Sequence, residues 1–205
     1  MNSGMKFNEI KKHLALFSVG IAGAGGLGSN CAVALARSGI GRLVIADHDI
    51  VEETNLNRQY FFTDQLGMKK TEALRANLNR IHPATITDMH DIRLNPANIP
   101  AIFRDCDLVI EALDSSEMKE MLAETVMEIW PDRPIILGSG LAGYGKNNEL
   151  RERVFSSTVI VCGDGKTETG DDLPPMAPRV GIVANMQANA AIEVLMKMRK
   201  NEDKA

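Results

Sequence analysis

The succession of an apolar run, a glycine turn and an amphipathic helix near the start of the chain narrows its possible folds more than any other feature. Residues 14–22 are mostly apolar, the turn reads Gly23-Ala24-Gly25-Gly26-Leu27-Gly28-Ser29, and apolar residues within 27–38 share one helical face. Residues 42–46 are rich in β-branched and aliphatic side chains and end at Asp47. This pattern predicts a strand, helix and strand unit with parallel strands and a right-handed connection.

The rest of the chain continues the alternation of strands and helices. The pattern predicts strands at 85–89, 107–113 and 134–137, and helices at 66–81, 95–103, 115–130 and 179–199. Beyond Gly138 it predicts two strands with no helix between them, at 150–155 and 158–162, as antiparallel additions at one edge. Residues 163–175 contain three glycines and two prolines, which is typical of a mobile loop.

These elements predict a Rossmann-like, doubly wound α/β fold with a mainly parallel sheet and antiparallel strands in the C-terminal half. A length of 205 residues suits a single domain. Residues 14–140 would form a nucleotide-binding core. Residues 141–205 would supply edge strands, the mobile loop and a closing helix.

Composition excludes several classes of protein. No apolar stretch is long enough for a membrane span, and Met1 to Asn8 shows no export signal, so we expect a cytoplasmic protein. Cys31, Cys106 and Cys162 have no C-x-x-C spacing, which argues against a disulfide framework and a four-cysteine zinc site. A net charge of -4 gives no reason to expect nucleic acid as a partner.

The glycine turn and Asp47 indicate a nucleotide site. A glycine-rich turn before a helix lets backbone N–H groups approach phosphate, and a carboxylate about 20 residues later can accept hydrogen bonds from ribose hydroxyls. These residues suit NAD and ATP equally well. A glycine turn that only packs helix against sheet is the structural alternative.

A cluster of polar residues after Asp47 favours ATP. Arg58 and Lys70 flank a loop that would lie at the carboxyl ends of the strands, and Asn55 and Gln59 stand beside Arg58. Two cations next to a phosphate cradle suit a triphosphate, whose negative charge increases as pyrophosphate leaves. The alternative is that Arg58 and Lys70 are solvated surface charges.

Together these segments resemble the successive motifs of the ThiF/MoeB/HesA family, which are relatives of ubiquitin-activating enzymes. The matching segments are the glycine turn at 23–29, 47–52, Asn55-Leu56-Asn57-Arg58-Gln59, Gly67-Met68-Lys69-Lys70, Ala112-Leu113-Asp114 and 178–189. Their order along the chain is also that of the family.

The resemblance implies an ATP-dependent adenylyltransferase that activates the C-terminal glycine carboxylate of a ThiS-like, ubiquitin-fold sulfur carrier, in a homodimer and in thiamine biosynthesis. Residues 141–205 would then bind the carrier. Carried over residue by residue, it implies that Gly23, Gly25, Gly26 and Gly28 cradle the nucleotide, Asp47 holds ribose, Asn55, Arg58, Gln59 and Lys70 contact the phosphates, and Asp114 binds Mg²⁺. A hard cation held by one carboxylate and phosphate oxygens is consistent with that role.

Two of these assignments have an alternative interpretation. Asp114 stands beside Ser115 and Ser116 at a helix start, so it could be a helix cap. Lys69 stands beside Lys70, and the family spacing from Gly67 favours Lys70.

The chain also departs from many of the relatives that it resembles. It lacks two C-x-x-C pairs, so no zinc is expected, and it is similar to a compact, zinc-less ThiF branch. No arginine precedes Arg37, which leaves open whether a partner subunit supplies a cation such as Lys11 or Lys12. Cys162 precedes the glycine-rich loop, where an exposed thiol could form an acyl or persulfide link, although a buried strand cysteine is the simpler interpretation.

Three alternatives to thiamine-type adenylation remain at this point. A non-catalytic relative would bind nucleotide or a partner without chemistry, and a family member could serve tRNA modification or molybdopterin synthesis. An NAD-dependent oxidoreductase would share the glycine turn and Asp47 but leave Arg58 and Lys70 unexplained.

Overall fold

The computed structural model describes residues 5–198, which surround a seven-stranded sheet in the order β3-β2-β1-β4-β5-β7-β6. Within this sheet β6 is antiparallel to its neighbour β7, and the other pairs of neighbouring strands are parallel. The strands are β1 Ser18–Ala22, β2 Arg42–Asp47, β3 Ile86–Asp91, β4 Leu108–Glu111, β5 Ile135–Gly138, β6 Arg151–Val154 and β7 Val159–Gly163. The predicted doubly wound α/β fold is therefore confirmed.

Helices cover both faces of the sheet. One buried cluster joins α1, α2, α3 and α6 to one face, and a second joins α4 and α5 to the other. The helices are α1 Phe7–Leu14, α2 Gly26–Ser38, α3 Lys70–Ile81, α4 Ile99–Ile102, α5 Ser116–Ile129 and α6 Ala177–Lys197. No helix within residues 5–198 is both long and apolar enough to span a membrane.

The centre of the sheet places the glycine turn where a ligand can reach it. All five residues of β1 are buried, as expected for a strand covered by helices on both faces. β1 lies between β2 and β4, so the strand order reverses there and a crevice opens beyond the carboxyl ends. The turn after β1 stands at this crevice.

Two boundaries differ from the sequence prediction. The apolar run that begins at Leu14 was assigned to a strand, but Leu14 ends α1 and β1 begins only at Ser18. The predicted helix at 66–81 begins at Lys70, because Gly67 has a φ of 82° and the N–H of Val51 bonds the carbonyl of Met68. The segment before α3 is thus extended and paired with residues 49–51 rather than helical.

The short predicted helix at 95–103 is also shorter in the structure. Asn95 Oδ1 accepts hydrogen bonds from the N–H groups of Ala97 and Asn98, so it caps a turn, and α4 itself starts at Ile99. At the chain end, α6 matches the predicted closing helix up to Lys197, and the predicted end at Arg199 lies outside the described residues.

The far edge of the sheet is formed by β7 and β6. They pair antiparallel with each other, as predicted, but β7 runs parallel to β5. The chain passes from β5 to the outermost strand, β6, and then returns through β7, which lies between β5 and β6.

The predicted loop at 163–175 is tied to its surroundings by Asp164. Asp164 Oδ1 accepts the N–H groups of Lys166 and Thr167, and its Oδ2 pairs with Arg179 of α6 at 2.6 Å. Arg179 also donates to the carbonyl of Gly145 at 2.6 Å. The start of the loop, α6 and the loop before β6 are therefore held together by one buried ion pair.

Candidate nucleotide and carrier site

A cavity of about 760 Å³ opens at the carboxyl ends of β1, β2, β4 and β5. It brings together most of the residues that the sequence singled out, although they lie far apart along the chain. Those residues are Gly23, Gly25, Gly26, Asp47, Arg58, Gln59, Lys70 and Asp114.

The glycine turn forms one wall of this cavity through its backbone. Gly23 has a φ of 101°, a conformation that favours glycine, and its N–H bonds the carbonyl of Ala46 at 2.8 Å. Gly28 is buried and is not among the residues that line the cavity, so its place in the nucleotide cradle stays a prediction. A Cβ at Gly28 would overlap the carbonyl oxygen of Gly23, so its role is to let α2 approach the turn.

Asp47 is fixed by backbone groups on both of its carboxylate oxygens. Oδ2 accepts the N–H of Ala24 at 2.6 Å, and Oδ1 accepts the N–H of Asp49 at 2.8 Å. A carboxylate has about four acceptor sites, so it can still accept hydrogen bonds from ribose hydroxyls. Asp47 thus links the glycine turn to the segment that leads to Lys70.

Lys70 lines the cavity but is already paired. It is 5% exposed, and its Nζ lies 2.7 Å from Asp49 Oδ2. Partial burial alone would raise the pKa of Asp49, but the hydrogen bond and charge of Lys70 outweigh it and hold that pKa below its usual value. Lys69 pairs with Asp91 and does not line the cavity, so the geometry agrees with the choice of Lys70.

Arg58 and Gln59 lie beside the glycine turn, next to Gly26 and Gly25 respectively. Arg58 donates to Asn57 Oδ1 at 2.8 Å and to the carbonyl of Thr54 at 3.0 Å, which holds its guanidinium at the rim. Gln59 is buried, and its Oε1 has no hydrogen-bond partner within residues 5–198. Buried polar atoms nearly always have a partner, so this oxygen is available to a ligand in the cavity.

Asn55 lies in the loop just before Arg58 and Gln59. It is buried, is not among the residues that line the cavity, and its Oδ1 accepts the N–H of Glu52 at 3.1 Å. Asn55 therefore shapes the loop that carries Arg58 and Gln59, and its contact with phosphate stays a prediction.

Asp114 fits a Mg²⁺ ligand better than a helix cap. Ser115 caps α5 by accepting the N–H of Met118 at 3.4 Å, which leaves the Asp114 carboxylate exposed in the cavity. It makes no hydrogen bond to any residue in the part of the chain described. A single free carboxylate beside a triphosphate cradle suits Mg²⁺, which takes one or two carboxylates plus phosphate oxygens.

Asp47, His48 and Asp49 also bring three potential metal ligands within 4.8 Å of one another. Asp47 is committed to two backbone N–H groups and Asp49 to Lys70. Both carboxylates are therefore already bonded to protein groups, and we assign no metal to this group.

Cys162 does not have the exposure that a thiol step needs. Its side chain is 0% exposed in the core shared by α2 and α6, and burial followed by the nearby Glu152 raises its pKa to about 12. The thiolate is the reactive form, so a buried thiol with a raised pKa is a poor nucleophile. The structure thus argues against the catalytic assignment of Cys162 and favours the packing interpretation.

A second cavity, of about 530 Å³, adjoins the first at the β5–β7 edge. The two share Lys119, Gly138 and Ser139 in their walls. The lining of the second cavity combines charged residues with apolar ones, and the apolar ones are Ala123, Leu137, Phe155 and Val161. Phe155 is 69% exposed, which leaves an apolar surface available beside the nucleotide cavity.

Several cavity residues gave no signal in the sequence. Arg93 follows β3, Thr167 lies within the loop predicted as mobile, and Lys119 is inside α5. None belongs to a local motif, because each reaches the cavity through the packing of a distant element. Asp49, the partner of Lys70, could have been found from its place two residues after Asp47 at a strand end.

Comparison with known proteins assigns the family. The ThiF family matches residues 5–205, so the chain belongs to the ThiF family. Among curated relatives, the adenylyltransferase and sulfurtransferase MOCS3 of Drosophila sechellia is 31% identical over 194 residues, covering 88% of this chain and 41% of the relative. The adenylyltransferase and sulfurtransferase UBA4 of Eremothecium gossypii is 30% identical, covering 85% and 40%. The chain thus spans less than half the length of these relatives.

Solved structures show the same fold. E. coli tRNA N6-threonylcarbamoyladenosine dehydratase, TcdA, in complex with ATP superposes with a TM-score of 0.83 at 20% identity, covering 92% of this chain and 89% of that one. E. coli MccB with AMPCPP and MccA superposes with a TM-score of 0.71 at 22% identity, covering 92% and 58%. Both confirm the architecture derived above.

Proposed function

We propose that the protein is an ATP-dependent adenylyltransferase that activates the C-terminal glycine carboxylate of a ubiquitin-fold sulfur carrier. One observation carries the proposal: Arg58, Lys70 and Asp114 converge on the glycine turn in a single cavity. Two cations and a free carboxylate suit a metal-bound triphosphate, whereas a hydride cofactor needs none of them. Membership of the ThiF family, and relatives named adenylyltransferases, support this choice.

In the proposed reaction, a carboxylate oxygen of the carrier attacks the α-phosphorus of ATP. The bond from that phosphorus to the bridging oxygen breaks, and the products are an acyl-adenylate and pyrophosphate. Such displacement mainly requires positioning and neutralisation of charge. No nucleophile from the protein is needed, in keeping with the burial of Cys162.

The residues of the cavity divide this work. Backbone groups of Gly23, Gly25 and Gly26 would approach the phosphates, and Asp47 would hold the ribose. Arg58 and Lys70 would offset charge on the leaving pyrophosphate, and Gln59 would use its unpaired Oε1 on the nucleotide. Asp114 would hold Mg²⁺, which would supply further neutralisation of phosphate charge.

The second cavity is our proposed contact for the carrier, in agreement with the expected role of residues 141–205. Its apolar side chains, Leu137, Phe155 and Val161, suit the body of a small protein. Gly138 and Ser139, shared by both cavities, offer a path without bulky side chains for a Gly-Gly terminus. A carrier seated there would present its carboxylate toward the nucleotide.

The pathway has two candidates. The compact form without C-x-x-C pairs favours a ThiS-like carrier and thiamine biosynthesis. Similarity to TcdA over 89% of its length favours a role in tRNA modification, where the activated acceptor would be on RNA. We place a sulfur carrier first, because two curated relatives at 30% and 31% identity are named adenylyltransferase and sulfurtransferase. The choice of a thiamine-type carrier rests on the compact form alone.

ATP–pyrophosphate exchange tests the function. We expect exchange to require Mg²⁺ and a carrier ending in Gly-Gly, and to be abolished by Arg58→Ala or Asp114→Ala. Arg80→Ala on the exposed face of α3 and Asp132→Ala after α5 serve as matched controls outside the cavity.

Each competing interpretation has its own outcome in this assay. Exchange that survives both cavity variants would overturn the site assignment. Adenylation that depends on tRNA would select the second pathway, and ATP binding without exchange would indicate a non-catalytic member. NADH binding without ATP binding would indicate the oxidoreductase. We also propose a cytoplasmic homodimer, which sedimentation equilibrium of the purified protein and fractionation of cells would test.

A further inference from the structure

A buried carboxylate connects the nucleotide cavity to the β5 edge. Glu111, the last residue of β4, is 1% exposed. Its Oε1 accepts the N–H of Leu113 at 2.6 Å, and its Oε2 accepts the N–H of Gly138 at 3.2 Å. Both oxygens also accept from Lys119 Nζ of α5, at 2.9 and 3.0 Å. One side chain therefore joins the ends of two strands and the first turns of a helix.

Lys119 lines both cavities but has no proton left for a ligand. An ammonium group carries three donors. Two point to Glu111, and the third to the carbonyl of Gly138 at 3.1 Å. A direct contact with phosphate would require one of these bonds to break, so the arrangement supports a structural task at the site rather than substrate binding.

Asp114 follows directly on the backbone that this pair contacts. Asp114 makes no hydrogen bond of its own within residues 5–198, so the backbone of 111–115 determines where its carboxylate lies. Glu111 holds that backbone through Leu113, and Lys119 holds it against α5. The same two side chains bond both the backbone N–H and the backbone carbonyl of Gly138, a residue that lines both cavities.

Stability alone is a weak explanation for such a pair. A buried ion pair can often be replaced by apolar side chains without loss of stability, because desolvation offsets its attraction. Burial also outweighs Lys119 and raises the pKa of Glu111, so the charged pair is costly to keep. A pair of this kind at the rim of a phosphate site is more readily explained by what it positions.

We propose that Glu111 and Lys119 are positioning residues of the adenylation site, which set the carboxylate of Asp114 and the Gly138 wall without contacting the nucleotide. This inference rests on the proposed function, because it assigns the pair a role in holding a Mg²⁺ ligand. Their effect should therefore appear in the metal-dependent part of ATP binding and in turnover.

Calorimetric titration of ATP with and without Mg²⁺ tests the proposal in the whole protein. Lys119→Met should reduce the gain in ATP affinity from Mg²⁺, and the exchange rate, by roughly ten- to 100-fold, as outer-shell substitutions do. Affinity for ATP without metal should stay within about threefold of the wild-type value. The conservative variant Lys119→Arg should retain most of the wild-type gain from Mg²⁺ and most of the exchange rate. Lys197→Met, which breaks the exposed Lys197–Glu193 pair of α6, is the matched control.

A double-mutant cycle separates positioning from a general structural role. In an Asp114→Asn background, Lys119→Met should cause little further loss, because no carboxylate remains to be positioned. Fully additive losses, weaker metal-free binding, or wild-type behaviour of Lys119→Met would each overturn the proposal. If Lys119→Met unfolds, Glu111→Gln, which removes the charge but keeps the side-chain shape, must show the same pattern.

The binding readout also distinguishes this proposal from the proposed function. If the wild-type protein binds MgATP but shows no pyrophosphate exchange with any added carrier, the adenylyltransferase proposal is contradicted. The titrations would still decide the role of Lys119. ATP binding that is indifferent to Mg²⁺ in the wild type would overturn the role of the pair.

Discussion

The site has two halves, one around the glycine turn (the turn half) and one at the β5–β7 edge with the second cavity (the edge half), and different interactions build them. Around the turn, backbone groups and half-exposed carboxylates supply the contacts, as in the bonds of Ala24 to Asp47 and Lys70 to Asp49. At the other side the contacts come from buried side chains, as from Arg179 to Asp164 and from Gln187 to the carbonyl of Glu111. Asp164 and Arg179 there are each 2% exposed.

This difference separates two ways of making a site. The turn half relies on main-chain geometry, which glycine supplies locally. The edge half relies on paired charges taken out of water, which only the completed fold can bring together. Substitutions should therefore damage the two halves by different mechanisms.

Loss of Arg179 should have the largest effect on stability. Arg179→Met would leave the Asp164 carboxylate buried without its cation, and we expect the protein to lose about 3–5 kcal/mol of unfolding free energy. Urea unfolding measures the change. Adding Asp164→Asn should recover a large part of it, because the neutral amide oxygen can still accept from the N–H groups of Lys166 and Thr167. No recovery would show that the ion pair is not what holds this half.

Gly28→Ala tests the turn half and should follow closely. The added methyl group would overlap the carbonyl of Gly23, so α2 must shift, at a loss of about 3 kcal/mol and with weaker ATP binding. Gly181→Ala is the matched control, since it is also helical and its Cβ meets nothing within 4 Å. That control should stabilise by about 0.5–1 kcal/mol. Equal effects on thermal unfolding would refute the packing role of Gly28.

Acid should weaken the edge half. Burial would raise the pKa of Asp164, but the N–H groups of Thr167 and Lys166, the Thr167 hydroxyl and Arg179 outweigh it and hold the pKa low. Since the unfolded pKa is near 3.9, this stabilisation is complete above about pH 4 and is lost as pH falls through the lower folded pKa. Unfolding midpoints measured as the pH is lowered should fall less in Asp164→Asn than in the wild type.

Asp49 provides a comparison within the same titration. Its carboxylate is 49% exposed, so water screens its pairing with Lys70. Asp49→Asn should change the acid dependence less than Asp164→Asn. A larger change would reverse the contrast between the two halves.

Cys162→Ala should have the smallest effect. We expect a loss of about 1 kcal/mol from removal of a buried sulfur, and an unchanged exchange rate. In the native protein at neutral pH, Cys31, Cys106 and Cys162 should resist a thiol reagent, because all three are buried and have raised pKa values. Rapid labelling of Cys162, or loss of exchange in the variant, would restore the thiol hypothesis.

Much of the fold could be predicted because its signals are local. The apolar run of β4 marks a strand buried on both faces, and the glycines at 23–28 mark the turn whatever lies around them. The same holds for Asp47, since a strand end beside the switch point places it at the crevice. Each of these features depends on residues within a few positions of one another.

The remaining features depend on tertiary packing. α1 shares its last residue with an apolar run that resembles a strand, and Gly67 interrupts the helical pattern before α3 only because the segment pairs with residues 49–51. Asn55 and Gly28 belong to nucleotide-type motifs but are buried and are not among the residues that line the cavity. Glu111 and Lys119 carry no motif, and their pairing exists only once α5 lies against β4.

The last helix also determines when the first motif becomes usable. Val180, near the start of α6, packs against the glycine turn so closely that a Cβ at Gly26 would lie 2.9 Å from it. Gln187 of the same helix bonds the end of β4. The glycine turn ends at Gly28, whereas the helix that covers it begins only at Ala177. A chain that stops before Ala177 would therefore carry the glycine motif without one wall of its proposed nucleotide cavity.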